Sequence, residues 1–329
     1  MPIATVSNSK GIEPVHRYFP EYQQRDIDIV DYQEFTLPGC PAPFRGPCFD
    51  PQVAAPGSYF TCLGAAQTFG CFVDRPFPEI VAERTGLKAL NLAVGGTGPG
   101  FYLQYPSLIA AMNRGRFVIL QCMAARHESN SRFEADGYVE FVKDRVHGDS
   151  VDSGTAWRRV IDEEFDKAPC YVAESRASWL ATMRKLVDAI TVPVVFFWFS
   201  RREPDYAIDW PAVREQKRER DQGMFTGHFI DGLSGDFPHY VDGPSARAAA
   251  AMCGAQASCL SRRGMGALLI NRHTGKPIDG ADYAGSGPEF QALREGRNLY
   301  YPSAEMHCDA ADALLPVIAG WVDEQPVAG

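Results

Sequence analysis

The sequence predicts an α/β protein, a three-layer α/β/α sandwich around a mostly parallel, five-stranded sheet with long loop insertions. Five short apolar runs alternate with segments of helical periodicity, which is typical of a parallel sheet covered on both faces. The chain has 329 residues, of which 45% are hydrophobic, so one large domain can bury a core. The gaps between the later apolar runs are much longer than ordinary connections and indicate insertions.

The predicted strands and helices follow one another in the order that this fold needs. Residues 192–200 (VPVVFFWFS) form the most apolar of the predicted strands. Right-handed crossovers through the helices would cover both faces of the sheet. The predicted strands are residues 58–63, 88–94, 117–122, 192–200 and 257–260. The predicted helices are residues 68–84, 101–113, 173–190, 245–253 and 308–322.

The rest of the chain is assigned to a wrapping segment and three insertions. Residues 1–56 are rich in Pro, Gly and aromatic side chains, and we expect them to wrap the surface of a single domain formed by residues 57–329. The insertions lie near residues 124–170, 201–242 and 264–300, after the third, fourth and fifth strands. The carboxyl ends of parallel strands usually carry the site, so these insertions are expected at the functional edge.

Composition narrows the classes of partner. The formal net charge of −9 argues against nucleic acid and against an anionic membrane surface. The nine cysteines and seven histidines lack metal-ligand spacing, so we expect no metal site and no disulfide framework. The start of the chain has no apolar leader and no apolar run could span a membrane, which predicts a cytoplasmic protein. The expected partner is a small-molecule substrate, anionic in view of the arginines described below.

Two glycine-rich turns provide the first candidate ligand-binding residues. In residues 64–70 (GAAQTFG), Gly64 ends a predicted strand, and Gln67 and Thr68 would present their side chains to a pocket. In residues 91–100 (NLAVGGTGPG), Gly95 and Gly96 would let the backbone approach a ligand closely. Each turn could instead be a plain connection. Their shared position at one edge of the sheet favours a site.

Basic residues follow each of the last three strands. Arg126 and His127 follow the third strand, Arg201 the fourth and Arg262 the fifth. Together they would form a positive pocket suited to phosphate, sulfate or carboxylate. The alternative for each arginine is a solvated surface position.

The segment before the last predicted helix holds a candidate base. His307 stands at the entrance of that helix, and Glu305 is nearby in sequence. A histidine at this place can act as a general base when a carboxylate supports it. A purely structural histidine is the alternative.

The order of these motifs resembles that of the SGNH (GDSL-type) hydrolase superfamily over residues 58–323. Residues 64–70 match its first block, and residues 91–97 resemble its second, in which Gly96 takes the place of the oxyanion glycine. Asn130 is the candidate for the third-block asparagine, and His307 resembles the catalytic histidine. The resemblance implies a flavodoxin-like sheet and acyl-ester chemistry.

The sequence departs from that family at the nucleophile. The position of the nucleophilic serine is Ala66, and the aspartate before it is replaced by Ala65. The acid three residues before the histidine is replaced by Ala304. A serine esterase needs a hydroxyl at that turn, so ordinary serine-dependent ester hydrolysis is not expected.

Two further resemblances imply group transfer. Residues 64–70, 76–78, 261–277 and 300–307 are similar to an uncharacterised bacterial family that is labelled sulfotransferase-like. The chain also resembles capsule-polysaccharide acetyltransferases that bind coenzyme A, whose first turn shares only the glycine and glutamine of residues 64–67. These resemblances imply a coenzyme A thioester or a sulfated nucleotide as donor.

Three functional hypotheses follow. The first is an SGNH-like group transferase (acyl or sulfuryl) that acts on a small polar or saccharide acceptor, with His307 as base and with Gly96 and Asn130 stabilising charge. The second is a hydrolase or lyase with a non-standard nucleophile, Cys122 or Ser200. The third is a non-catalytic protein that binds an anionic ligand through its arginines.

Overall fold

The computed structural model describes residues 26–135, 141–222, 236–278 and 295–323, and all statements below concern these residues. The strands in chain order are β1 (Phe35–Leu37), β2 (Cys40–Phe44), β3 (Tyr59–Leu63), β4 (Lys88–Asn91), β5 (Val118–Gln121), β6 (Phe133–Ala135), β7 (Phe141–Asp144), β8 (Ser150–Asp152), β9 (Val194–Ser200) and β10 (Ala255–Leu260). The α-helices are α1 (Ala66–Phe69), α2 (Phe77–Thr85), α3 (Pro99–Leu103), α4 (Pro106–Arg114), α5 (Ser153–Glu163), α6 (Ala168–Ala189), α7 (Trp210–Asp221), α8 (Gly243–Ala250) and α9 (Ala304–Asp323).

The centre of the molecule is a five-stranded sheet with the order β10-β9-β5-β3-β4. Every neighbouring pair of these strands is parallel. The chain enters the sheet at β3, moves outward to β4 and then crosses back to β5 on the other side of β3. This is the flavodoxin-like order, so the predicted fold class and the five predicted strands are confirmed.

The sheet is buried on both faces. All seven residues of β9 are buried, and alternate side chains belong to two separate apolar clusters. Phe196 and Trp198 face the cluster formed with α3, α4, α6 and α8, whereas Phe197 and Phe199 face the cluster formed with α2 and α9. The period of two along the strand therefore produces the three layers.

Two of the predicted helices are each divided in two. The single helix predicted over residues 68–84 is wrong, because α1 ends at Gly70 with φ +84° and α2 begins after Pro76. The single helix predicted over residues 101–113 is also wrong, since α3 ends before Pro106 and α4 begins there. Proline has no backbone N–H and is favoured in the first turn of a helix, so it starts a new helix at these points.

The insertions contain more regular structure than the sequence analysis assigned. The first holds an antiparallel sheet, β6-β7-β8, followed by α5. The second holds α7, and the third holds isolated bridges that pair Leu268 with Arg297 and Ile270 with Pro277. Short strands without strong apolar alternation explain why the sequence analysis treated these segments as loops.

Within the first insertion, a buried ion network connects the small antiparallel sheet to the end of α5. The Arg132 guanidinium is 1% exposed, and its Nε lies 2.8 Å from Asp144 Oδ1. It also contacts Glu163 and Glu164, each at 2.7 Å. A buried arginine is stable only when charged acceptors surround it, and here three carboxylates do so.

The described part of the wrapping segment contacts the first turn of the sheet. Within it, β1 and β2 form an antiparallel hairpin around Gly39, whose φ is +78°. The buried Arg45 donates to the main-chain oxygens of Phe69, Gly70, Val73 and Asp74. This arginine therefore fixes the path of the chain between α1 and α2. The division of the chain at residue 56 stays a prediction.

Candidate functional site

The turn after β3 is closed around a glycine. A Cβ atom on Gly64 would overlap Gln121 Oε1 and Thr68 Oγ1, so only glycine fits at this position. Gln121 Oε1, at the end of β5, accepts hydrogen bonds from Ala65 N at 3.1 Å and from Thr68 Oγ1 at 2.7 Å. The Gln121 Nε2 atom is buried and has no hydrogen-bond partner among the described residues.

Two side chains hold the turns after β3 and β4 together. The Tyr102 hydroxyl accepts from Gly64 N at 2.9 Å and lies 3.1 Å from the carbonyl oxygens of Gly64 and Leu92. Asn91 Nδ2 donates to Thr68 O at 3.0 Å, and its Oδ1 accepts from Ala93 N. The two glycine-rich turns therefore form one pre-arranged unit at the carboxyl edge of the sheet.

Several backbone amides in this unit have no acceptor among the described residues. The N–H groups of Ala66, Gly95 and Gly96 have no hydrogen-bond partner among the residues that the structure describes. Gly95 and Gly96 are partly exposed, and a Cβ on Gly95 would lie 3.9 Å from Ala66 Cβ. We refer to these three N–H groups as the amide cradle. Free amides beside one another can bind a carbonyl oxygen or a small oxyanion.

The cradle is bordered by apolar side chains. Ala66 is 8% exposed and packs in a cluster with Phe69, Phe72 and Leu269. The wrapping segment contributes Tyr32, whose hydroxyl accepts from Phe72 N at 3.0 Å. At Ala66, which the sequence resemblance equates with a serine nucleophile, the structure therefore presents a methyl group against an apolar wall. Gln67, on the same turn, is buried with Oε1 unpartnered among the described residues.

His307 lies in the first turn of α9, which begins at Ala304 and not after the histidine as predicted, and its ring packs in the core against α2 and β9. Its side chain is fully buried, its Nδ1 accepts from Phe77 N at 3.0 Å, and its ring contacts Phe77 and Phe199. Burial, with a smaller contribution from the charge of Arg45, lowers the pKa of His307 to about 3. The imidazole is therefore neutral, and Nε2 has no partner among the described residues.

The other two residues proposed for catalysis make different contacts. The Glu305 carboxylate lies against Gly264, not against His307. Asn130 Nδ2 donates to Ser175 Oγ at 3.0 Å, and its Oδ1 accepts from Arg132 N and Phe133 N. Both groups of the Asn130 amide are thus engaged in holding the chain after β5. Roles of Glu305, Asn130 and His307 in chemistry stay predictions.

The arginines after β9 and β10 are largely engaged. Arg201 donates to Asp236 Oδ1 at 2.6 Å and to Leu299 O at 2.5 Å. Arg262 Nε donates to Arg201 O, and its Nη2 lies 3.9 Å from Asp236 Oδ2. One carboxylate therefore offsets both predicted anion-binding guanidinium groups, although Arg262 remains mostly exposed.

Arg126 and His127 lie beneath the second glycine-rich turn. The Arg126 carbonyl accepts from Trp157 Nε1 at 2.7 Å. His127 is buried against Gly98, and neither ring nitrogen has a partner among the described residues. Burial, then the Arg126 charge, lowers the pKa of His127 to about 3. Burial raises the pKa of the neighbouring Glu128 to about 7, although hydrogen bonds from Ser178 and Thr182 oppose this shift.

The structure adds a polar pair that the sequence analysis missed. His239 is 3% exposed, and its Nε2 lies 3.2 Å from the Tyr300 hydroxyl. His239 belongs to the second predicted insertion and Tyr300 to the third, so no local spacing connects them. Gln121 was visible as the only polar residue in an apolar strand, and that is the signal that could have identified it.

One family model matches part of this chain. The family model of a domain of unknown function, DUF6473, matches residues 21–137, which include both glycine-rich turns but less than half of the chain. No curated protein matches.

None of the described helices has the length and hydrophobicity that crossing a membrane requires. Among the described residues, no group of His, Cys, Asp and Glu is arranged to hold a metal ion.

Several solved structures are distantly similar. A carbohydrate esterase family 2 enzyme with a carbohydrate-binding domain from Corynascus thermopiles (Myceliophthora fergusii) is 12% identical, with 83% of this chain and 68% of that chain covered and a TM-score of 0.36. A catalytic mutant of the acetylxylan esterase Axe2 from Geobacillus stearothermophilus is 12% identical, with 84% and 99% covered and a TM-score of 0.36. A Lactobacillus plantarum protein is 12% identical, with 80% and 98% covered and a TM-score of 0.34. The fold class itself is defined by the strand order of the central sheet.

Proposed function

We propose that this chain is an SGNH-like acyl transferase that moves an acyl group directly from an activated donor to a hydroxyl of a small polar or saccharide acceptor. The observation that carries the proposal is the amide cradle. Its three N–H groups have no acceptor among the described residues, and Gly95 lies next to Ala66, the position that the resemblance gives to the nucleophile.

The reaction follows from what the cradle can bind. The acyl carbonyl oxygen would accept hydrogen bonds from the amides of Ala66, Gly95 and Gly96, which oppose the negative charge that develops on it. Because Ala66 has no hydroxyl, the acceptor oxygen itself attacks the carbonyl carbon. The new carbon–oxygen bond forms, the bond from the carbonyl carbon to the donor's sulfur breaks, and the acceptor proton leaves with the thiol.

The border of the cradle favours an acyl group over a sulfuryl group. Phe69, Phe72 and Leu269 are apolar neighbours of Ala66 and suit a short hydrocarbon chain. A transferred sulfuryl group carries negative charge that an acyl group lacks, and the cations predicted to offset it, Arg201 and Arg262, share Asp236. A thioester such as that of coenzyme A is therefore the donor we propose, and the sulfated nucleotide is the weaker alternative.

A hydrolase that uses a different nucleophile has less support. Burial raises the pKa of the Cys122 thiol well above its ordinary range, so the thiolate is disfavoured. Ser200 Oγ donates to Phe237 O at 2.6 Å, which commits its proton to the backbone. Hydrolysis at the same cradle would require water in place of the acceptor, and product analysis distinguishes the two.

Non-catalytic binding is a second candidate function, and the packing of Ala66 favours it. A methyl group inside an apolar cluster would hold an acyl group without reacting with it. In that case the ligand would be bound and released unchanged.

Filling the cradle tests the proposal. Gly95→Leu would place a side chain over Ala66, while Gly320→Leu adds the same side chain at a helix position with no atom within 4 Å. We expect acetyl-coenzyme A to raise the melting temperature of the wild type and of Gly320→Leu but not of Gly95→Leu. Thiol release with saccharide acceptors should follow the same pattern. An equal thermal shift in all three proteins would overturn the proposed site.

A further inference from the structure

The segment that carries His239 is bonded to the protein along its whole length. Each of the six main-chain carbonyls of residues 236–241 accepts a hydrogen bond. Arg202 supplies three of the donors, to Asp236 O, Pro238 O and Val241 O. The remaining donors are Ser200 Oγ to Phe237 O, Ala125 N to His239 O, and Arg176 Nε to Tyr240 O.

The backbone of this segment is also strained. Tyr240 has φ +67°, a left-handed conformation that a bulky side chain rarely adopts. Its ring is fully buried and packs edge-on against Trp157 at 4.7 Å between centroids. Such strain persists only where the surroundings determine the conformation, and it is concentrated at functional sites. The arginine and serine at the exit of β9 therefore serve to hold the neighbour of Tyr240, His239, in one position.

The partner of His239 is held in a similar way. Asn298 Oδ1 accepts from Tyr300 N at 3.1 Å and from Tyr301 N at 2.9 Å, and Asn298 Nδ2 donates to Tyr301 O. Asn298 is 6% exposed, so a buried side chain holds the turn at Tyr300 and Tyr301. Tyr300 itself is only partly buried. Its hydroxyl is thus positioned by buried groups while part of the side chain still reaches the surface.

Contacts between aromatic rings connect this pair to the amide cradle. The rings of Tyr300 and Tyr301 lie 4.9 Å apart, and those of Tyr301 and Phe72 lie 5.3 Å apart. Phe72 and Tyr301 pack in the same cluster as Ala66. Tyr301 therefore packs both on Tyr300 and on the apolar wall that borders the cradle.

We propose that Tyr300 is the catalytic residue that takes the proton of the acceptor hydroxyl, with His239 as its positioning partner. This inference rests on the proposed acyl transfer. As the acceptor oxygen attacks the acyl carbon, its proton moves to Tyr300 Oη and the Tyr300 proton moves to His239 Nε2. When the carbon–sulfur bond breaks, the same two steps in reverse deliver one proton to the leaving thiolate, so ester and thiol are formed with no net change at the pair.

Conservative variants test this assignment. Tyr300→Phe removes only the hydroxyl, and Tyr105→Phe is the matched control because Tyr105 lies before α4, outside the site. With acetyl-coenzyme A and a panel of mono- and oligosaccharide acceptors, we expect kcat of Tyr300→Phe to fall about 100-fold or more. The KM for acetyl-coenzyme A and the thermal shift that it causes should be unchanged. Tyr105→Phe should retain wild-type kcat.

His239→Gln keeps a hydrogen-bond acceptor near Tyr300 but cannot take up a proton. We expect kcat to fall about tenfold or more without a change in KM, and the acid limb of the kcat–pH profile to disappear. Since the two residues act as one unit, the double variant should be no slower than Tyr300→Phe alone.

The outcomes separate this inference from the proposed function. Wild-type kcat in Tyr300→Phe, with turnover intact in the wild type, overturns the role of Tyr300 and leaves acyl transfer standing. A retained acid limb in His239→Gln overturns the role of His239. An absence of both binding and turnover in the wild type contradicts acyl transfer itself, and with it the assignment of this pair.

Discussion

Two parts of the carboxyl edge differ in what their hydrogen-bond donors do. At the exits of β3 and β4, the amide cradle consists of backbone N–H groups without acceptors among the described residues. At the exit of β9, the guanidinium groups of Arg201 and Arg202 donate to carbonyls and to Asp236. The guanidinium groups stabilise the fold through these bonds, whereas the backbone amides of the cradle are available to a ligand. Hydrogen-bond donors that have no acceptor therefore indicate a ligand site better than the presence of arginine does.

The largest expected effect is on stability at the arginine exits. Arg202→Met would leave three carbonyls of residues 236–241 without their charged donor. Two of these carbonyls belong to the buried residues Pro238 and Val241, and each buried acceptor left without a partner costs about 1–3 kcal/mol, so we expect unfolding in urea to require about 2–6 kcal/mol less free energy. A decrease of less than about 1 kcal/mol in the free energy of unfolding would show that the Arg202 hydrogen bonds do not stabilise the fold.

The next effect is a loss of stability in acid, and it concerns His307. The unpartnered Nε2 of this residue lies in the core, whereas the unpartnered amides of the cradle belong to the two glycine-rich turns. The pKa of His307 is about 3 in the folded protein, below its ordinary value of 6.5, so the unfolded chain binds a proton that the folded one does not between these pH values. The stability that this group contributes is present above pH 6.5 and is lost as the pH falls toward 3, with a slope of up to about 1.4 kcal/mol per pH unit.

His307→Asn provides the comparison, because asparagine can still accept from Phe77 N. We expect this variant to be less stable than the wild type at pH 7 and to lose less stability between pH 6.5 and 4. Parallel curves of unfolding free energy against pH would contradict a neutral, structural His307. As the pH falls, the buried His127 adds a further loss of stability, whereas Glu128, whose pKa is raised in the folded protein, adds a gain. Both contributions are present in the variant and in the wild type, so they cancel when the two curves are compared.

A smaller effect is expected at the turn that supports the cradle. Gly64→Ala forces a Cβ into the space of Gln121 Oε1 and Thr68 Oγ1. Overpacking of this kind costs about 1–3 kcal/mol, and it should also weaken the thermal shift caused by acetyl-coenzyme A. Gly320→Ala is the control, and in an exposed helix position it should be neutral or slightly stabilising.

The smallest effect tests the one predicted anion-binding arginine that remains mostly exposed. Arg262→Ala removes a side chain that is 69% exposed and whose ion pair with Asp236 is long. We expect the free energy of unfolding to change by less than about 0.5 kcal/mol. A clear loss of acetyl-coenzyme A binding in this variant would assign Arg262 to the donor's phosphates and would make the β10 exit part of the site.

The sequence was sufficient for the sheet because each central strand is an apolar run. Every residue of Val194–Ser200 and of Tyr59–Leu63 is buried, as the apolar composition of these strands predicts. The glycine-rich turns were also predictable, since Gly64 and Gly96 are needed for a close approach and for a φ of +72°, respectively. Local rules thus located the amide cradle to within a few residues.

The roles of the basic residues could not be read from the sequence, because they depend on contacts across the fold. Whether Arg201 is free depends on Asp236, and whether His307 meets solvent depends on Phe77 and Phe199. The pairing of His239 with Tyr300 joins two insertions that the sequence left without structure. Burial and partner choice are properties of the packed chain, and only conformation is encoded locally.

The wrapping segment has a consequence for the order in which the molecule folds. Arg272 Nε donates to Ile27 O across a sequence separation of 245 residues, and Arg272 N donates to Asp28 O. Contacts of such high contact order carry a large loop-closure entropy and form slowly. The wall of the cradle, which needs Val30, Tyr32 and Leu269, therefore closes only after the chain between them has assembled. Ligand-binding competence should then appear later in refolding than the helical signal of the sheet's covering layers.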